Sequence, residues 1–211
     1  MKLTFTLLLV VQLSGLAFGQ SFEGRIIYRN TYHTKIAKIS DRDWNDNMGT
    51  MEEYYIKGGN YKTITNGRLF EWQFYNSKDN KIYTKMSNSA TVYWNDGGVD
   101  EDSVEHVEVN KSDTVILGYK CDEVVLTCVT GIQKFYFNAN SKLTIDASLF
   151  ENHKFGNWYE YLDVANALPL ETIIDNGQCT MISVAIEVKT MHIDDKLFVL
   201  PNGLNAVKSP Y

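Results

Sequence analysis

The chain consists of short runs in which apolar and polar side chains alternate, separated by turns rich in glycine and asparagine. Successive side chains of a β-strand point to opposite faces of the sheet, so this period of two predicts strands with one sheltered and one wet face. The clearest run spans residues 180–190, and its apolar members are Ile182, Val184, Ile186 and Val188. Asn66-Gly67 and Asn176-Gly177 are dipeptides typical of tight hairpin turns. The pattern therefore predicts a meander of short antiparallel strands.

About ten such runs joined by short turns predict a mainly β protein with one large antiparallel sheet, curled into a barrel or half-barrel. We expect residues 33–44 to form a short helix or an ordered loop, and residues 140–165 to contain helix or loop. Residues 114–129 are β-like throughout and predict one long strand with a bulge near Cys121. A doubly wound fold is excluded because helical segments do not alternate with the strands.

The first 19 residues have the features of a secretory signal peptide. Lys2 precedes an apolar run from Leu3 to Phe18, and the small residues Ala17 and Gly19 lie just before Gln20. The run is shorter than the roughly 20 residues that span a bilayer, and no cysteine follows it to carry a lipid anchor. We therefore expect cleavage before Gln20, a single β-rich domain over residues 20–211, no transmembrane segment after cleavage, and a periplasmic or secreted location.

The charge balance excludes some partners. The chain has 20 Lys and Arg against 26 Asp and Glu, a net charge of −6, and it has no basic cluster. Polyanions and anionic membrane surfaces are bound through concentrated positive charge. We expect no nucleic-acid partner.

Three cysteines leave an odd number for disulfide pairing. Cys121 and Cys128 lie on one predicted strand and would be about 23 Å apart at the usual rise per residue. A disulfide needs Cα atoms roughly 4.4–6.8 Å apart. Any disulfide should therefore include Cys179, and Cys128 is its favoured partner because both lie next to tight turns at the same end of the meander. Three buried thiols are the alternative.

No catalytic signature is present in the sequence. It has no Gly-x-Ser-x-Gly, no His-Glu-x-x-His, no phosphate-binding glycine loop and no Cys-x-x-Cys. Its four histidines lie in different segments. We therefore predict no catalytic residues, no metal site, no cofactor and no enzymatic activity.

The aromatic residues are the more informative feature. In one run, Phe70, Trp72 and Phe74 alternate with Glu71 and Gln73, which should then face water. Val92 and Trp94 share one face of a later run. A closed barrel would simply fill its core with these side chains. An open half-barrel would leave an apolar concavity, in which each methylene of a lipid would contribute roughly 0.8 kcal/mol. The candidate ligand-binding residues are Phe70, Trp72, Phe74, Val92 and Trp94.

Four short motifs suggest a family. They are Phe22-Glu23-Gly24-Arg25-Ile26-Ile27-Tyr28, Ile116-Leu117-Gly118-Tyr119-Lys120-Cys121, Ala167-Leu168-Pro169-Leu170-Glu171 and Phe198-Val199-Leu200-Pro201. In this order they resemble small secreted Bacteroidetes proteins of unknown function, which are similar to the periplasmic lipoprotein-carrier superfamily. The resemblance covers most of the mature chain and implies a half-open β-barrel with helical segments on its hydrophobic concave side. None of the carrier's functional residues matches a position of this chain.

These observations together predict an exported cell-envelope protein that shelters a lipid or other apolar ligand in a concave β-sheet. An envelope module that binds a protein or a polysaccharide through exposed tyrosines and sheet edges is the alternative. A hydrolase is less favoured because no nucleophile and base are clustered in the sequence.

Overall fold

Twelve strands form one continuous sheet in the computed structural model, which describes residues 21–210. The strands are β1 Gly24–Thr34, β2 Met51–Lys57, β3 Asn60–Thr65, β4 Phe70–Asn76, β5 Lys81–Met86, β6 Val92–Asp96, β7 Val104–Ile116, β8 Tyr119–Cys128, β9 Gly131–Phe137, β10 Glu171–Asn176, β11 Cys179–Thr190 and β12 Ala206–Lys208. The helices are α1 Asp41–Met48 and α2 Trp158–Ala165, with short 3₁₀ turns at Ala147–Phe150, Phe155–Asn157 and Asp195–Phe198. Within the described residues, no helix is long and apolar enough to cross a lipid bilayer. The predicted signal peptide lies outside the described residues.

The order of strands across the sheet is β12-β6-β5-β4-β3-β2-β1-β11-β10-β9-β8-β7. All neighbouring pairs are antiparallel except β12 and β6, which run parallel. The sheet is curved but does not close on itself, and two helices accompany it. The predicted fold class, a mainly β half-open barrel with helical segments on the concave side, is confirmed.

Both helices pack on the same face of the sheet, which we call the inner face. Tyr161 of α2 is fully buried, and its ring stacks on Phe135 of β9 with centroids 4.2 Å apart. Trp44 of α1 stacks on Tyr32 of β1 at 6.2 Å. Tyr28 lies on the same face of β1 as Tyr32, because side chains two or four positions apart on a strand share a face. The main hydrophobic core therefore lies between the inner face and α2.

Local sequence signals set several of the boundaries. Asn66-Gly67 joins β3 to β4, and Asn176-Gly177 joins β10 to β11, as predicted. Helix α1 begins with a capping box, in which the Ser40 hydroxyl accepts a hydrogen bond from the Asp43 amide and the Asp43 carboxylate accepts one from the Ser40 amide. The segment predicted as helix or loop at residues 33–44 thus contains the start of a real helix.

The predicted single strand over residues 114–129 is wrong. The chain turns at Leu117-Gly118, which ends β7 at Ile116 and starts β8 at Tyr119. Both turn residues have positive φ, +49° at Leu117 and +81° at Gly118. Leucine seldom adopts this conformation, so the sequence carried no ordinary turn signal at that point.

Replacing Leu117 by asparagine should raise the free energy of unfolding by about 1 kcal/mol. The side chain of Leu117 is exposed, so little packing is lost, and asparagine tolerates the left-handed conformation that a two-residue hairpin needs. Urea unfolding of the variant measures the change. Val115→Asn, at an exposed strand position two residues earlier, is the control and should give no gain; equal stabilisation by both would contradict this explanation.

All three cysteines are buried free thiols. Cys121 and Cys128 both lie on β8, as expected, and do not pair. The favoured bridge between Cys128 and Cys179 is also not made. Strands β9 and β10 separate β8 from β11, so three inter-strand steps, roughly 14 Å, lie between these residues, well beyond disulfide reach. The alternative of three buried thiols describes this structure.

Candidate ligand-binding site

A β-bulge divides the predicted aromatic face. In the register between β4 and β5, Phe70 pairs with Met86 while Trp72 pairs with Lys85, so Glu71 is an extra residue in β4. One extra residue moves the side chains before it to the other face of the strand. Phe70 consequently lies on the inner face, and Trp72 lies on the outer face. The expectation of one common aromatic surface is corrected by this bulge.

Trp72, Phe74 and Val92 form a separate hydrophobic group on the outer face, which we call the outer cluster. The rings of Trp72 and Phe74 stack with centroids 5.6 Å apart, and Val92 is fully buried. The cluster is covered by side chains that follow the last 3₁₀ turn: Leu200, Leu204 and Ala206. These three predicted site residues therefore pack together as filled core.

Trp94, the fifth predicted residue, is half-buried on the same outer face. Two ammonium groups lie near its ring, Lys81 Nζ at 4.2 Å and Lys208 Nζ at 5.9 Å from the centroid. The Trp94 ring therefore makes cation–π contacts with both lysines at the edge of the sheet. Trp94 is thus separated from Phe70 by the thickness of the sheet.

Phe70 lines a cavity of about 360 Å³ on the inner face, which we call the inner cavity. Its wall consists of Phe70, Gln73, Thr84, Met86, Tyr93, Asn95, Phe155, Ser209 and Pro210. The floor comes from β4, β5 and β6, where Gln73 pairs with Thr84 and Thr84 pairs with Tyr93. Phe155, from the turn before α2, lies on one side. The C-terminal segment closes the rim, held by a hydrogen bond from the Ser209 amide to the Trp94 carbonyl at 2.8 Å.

Two polar side chains in the floor of the inner cavity pair with each other. Gln73 Nε2 donates a hydrogen bond to Thr84 Oγ1 at 3.0 Å, across the β4–β5 pair. Within residues 21–210, the wall contains no acidic or basic side chain. Gln73, which the sequence predicted to face water, instead helps to form this floor. The remaining surface is mainly aromatic, thioether and proline, and it suits an apolar ligand.

A buried histidine, which no sequence pattern indicated, lies among aromatic side chains of the core. His153 is almost fully buried, and its Nε2 shares a hydrogen bond with the Tyr61 hydroxyl at 2.8 Å. Its ring lies 4.1 Å from that of Tyr75. Burial lowers the pKa of His153 to about 4, because the charged ring would lose its hydration. The imidazole is therefore neutral near pH 7 and belongs to the aromatic core.

The thiols are poor candidates for chemistry. Burial raises the pKa of Cys121 and Cys179, and it raises that of Cys128 to about 11. The thiolate is the nucleophile and the metal ligand, so these groups are unreactive near neutral pH. No group of three His, Cys, Asp or Glu side chains that could hold a metal ion occurs in the part of the chain that the structure describes.

No protein-family model matches the chain, and no curated protein matches it. Among solved structures, it is similar to an uncharacterized conserved protein of Thermus thermophilus, with 7% identity, a TM-score of 0.46 and coverage of 89% of this chain and 91% of that one. It is also similar to a LolA superfamily protein of Nitrosomonas europaea, with 10% identity, a TM-score of 0.38 and coverage of 87% and 92%. Likenesses this distant indicate nothing about function.

Proposed function

We propose that this protein is a cell-envelope binding protein that holds an apolar ligand, such as an acyl chain, in the inner cavity. The proposal rests on the inner cavity, which has a volume of about 360 Å³ and a mainly apolar wall on a curved sheet. Ligand sites are typically apolar clefts of about 300–1,000 Å³ with few polar groups, and this one lies at the lower end of that range. A single chain or a compact apolar molecule fits it better than a whole diacyl lipid.

The expected affinity follows from the size of the cavity. About eight buried methylenes would contribute roughly 6 kcal/mol, part of which is lost to the cost of association. We therefore expect dissociation constants of about 40 μM or weaker. Burial raises the pKa values of all three thiols, so none of them is an activated nucleophile. A binding role is consistent with this, because binding needs no nucleophile.

Export is part of the same proposal and is supported by the signal-like pattern of residues 1–19. Intact-mass measurement of the protein from its native host should give a chain that begins at Gln20. A full-length chain in the membrane fraction would contradict export by cleavage.

Filling the inner cavity should abolish the binding of an apolar probe. Thr84 lines the cavity, so the ring of Thr84→Phe would occupy the space that the ligand needs. We expect the affinity for a fluorescent fatty acid to fall at least about tenfold, equivalent to 1.4 kcal/mol. Fluorescence titration of the parent and variant proteins measures this.

The matched control is Thr127→Phe, which makes the same substitution at a half-buried position of β8, away from the inner cavity. It should bind the probe like the parent protein. Equal binding by both variants, or no binding by the parent, would contradict the proposed function.

A further inference from the structure

A second, smaller cavity lies on the inner face where β10, β11, β1 and β2 meet the start of α2. Its volume is about 140 Å³, and we call it the Glu52 pocket. Its wall consists of Tyr28, Glu52, Tyr54, Trp158, Pro169, Thr172, Met181 and Ser183. Strand register brings these residues together: Tyr28 pairs with Glu52, and Thr172 pairs with Ser183. None of these residues lines the inner cavity, so this is a separate site.

The pocket contains a carboxylate without a cationic partner. Glu52 accepts one long hydrogen bond, from Asn30 Nδ2 at 3.4 Å. Among residues 21–210, the wall holds no Lys, Arg or His, and its other ionisable side chains are the tyrosines Tyr28 and Tyr54. Burial raises the pKa of Glu52, because the charged form loses hydration without gaining an opposite charge. A positive charge in the pocket would supply the opposite charge that Glu52 lacks.

Three aromatic side chains line the same pocket as this carboxylate. The Tyr28 and Tyr54 rings meet edge to face with centroids 6.3 Å apart, and the Tyr54 and Trp158 rings are 6.4 Å apart. Aromatic faces carry negative partial charge and attract cations, most strongly where water is excluded. The carboxylate and the rings therefore favour the same kind of ligand.

We propose that the Glu52 pocket binds a small primary ammonium ion, such as the one that ethanolamine presents. The ammonium group donates to the Glu52 carboxylate, beside the aromatic side chains of the pocket. The volume of about 140 Å³ limits the enclosed group to a few heavy atoms. Both a free amine and the headgroup of an ethanolamine lipid present this chemistry.

Isothermal titration of the parent protein with ethanolamine, and with ethylene glycol as the uncharged analogue, tests the proposal. Ethanolamine should bind and ethylene glycol should bind at least about tenfold more weakly. Glu52→Gln should reduce ethanolamine binding at least about tenfold, since the amide keeps the shape and removes the charge. The control is Glu53→Gln, at the adjacent exposed position on the opposite face, which should bind like the parent.

Flotation of the parent with phosphatidylethanolamine vesicles, competed by free ethanolamine, would assign the ammonium to a lipid headgroup, and ethanolamine binding without flotation would assign it to a free amine. The proposal is overturned if ethanolamine does not bind at about 10 mM, if ethylene glycol binds as well, or if Glu52→Gln binds like the parent.

Discussion

Replacing Trp72 by alanine should lower the free energy of unfolding by about 3–5 kcal/mol and leave apolar-probe binding unchanged. The side chain is about nine-tenths buried, stacks on Phe74, and lies beneath Leu200 and Leu204 of the C-terminal segment. Removing it leaves a void that neighbours anchored in the sheet cannot readily fill. The inner cavity lies on the other face of β4, so its floor remains.

Chemical denaturation gives the stability change, and probe titration in the absence of denaturant gives the affinity. Trp94→Ala is the matched control, since Trp94 lies on the same face but is only half-buried. Trp94→Ala should lower the free energy of unfolding by about half as much or less, because the Trp94 side chain buries less apolar surface. Lost probe binding with nearly unchanged stability in Trp72→Ala would place the ligand on the outer face instead.

Acidification from pH 7 to pH 4 should cost the protein about 3 kcal/mol of unfolding free energy through His153 alone. Its pKa is about 4 in the folded protein because of burial, against about 6.5 in an unfolded chain. Between these values the unfolded chain binds the extra proton, so stability falls as the pH drops through 6.5 toward 4. Above pH 7 both states are neutral at this residue, and it contributes no slope.

Other groups titrate in the same pH range. The contribution of His153 is therefore measured by comparing how steeply the unfolding free energies of the parent and the variants depend on pH. Burial raises the pKa values of Glu52 and Glu171, which oppose the loss by stabilising the protein at acid pH. His153→Gln removes the titration, so its unfolding free energy should depend less on pH than that of the parent. His106→Gln, at an exposed position on β7, should retain the parent slope. Identical slopes for the parent and His153→Gln would contradict the assignment.

The parts of the fold that the sequence predicted correctly depend on local signals. The turns Asn66-Gly67 and Asn176-Gly177 specify hairpins directly, and residues 180–190 form a strand as predicted. The apolar face of that strand is not the sheltered one, however, because Ser183 and Ala185 are buried and Ile186 is exposed. Leu117-Gly118 could not be found this way, because a leucine with positive φ has no sequence signature. The bulge at Glu71 was missed for a related reason, since one extra residue leaves the alternation of Phe70, Trp72 and Phe74 unbroken in the sequence.

The candidate sites depend on contacts that are distant in sequence. Phe70 was predicted, but its cavity also needs Phe155 and Pro210, which are distant in sequence. The cover over the outer cluster comes from Leu200 and Leu204, whose irregular segment has no period to indicate which face it contacts. Glu52 has no sequence feature of its own. Its environment arises only when β2 is paired with β1 and capped by α2, which periodicity cannot show.

The most direct test of apolar binding in the inner cavity is a crystal structure of the protein with a brominated fatty acid, located by the anomalous scattering of bromine. We predict a bromine peak in the cavity, in contact with Phe70, Met86 or Tyr93. A peak beside Trp72 and Phe74, or no ordered bromine at saturating ligand, would contradict the central claim.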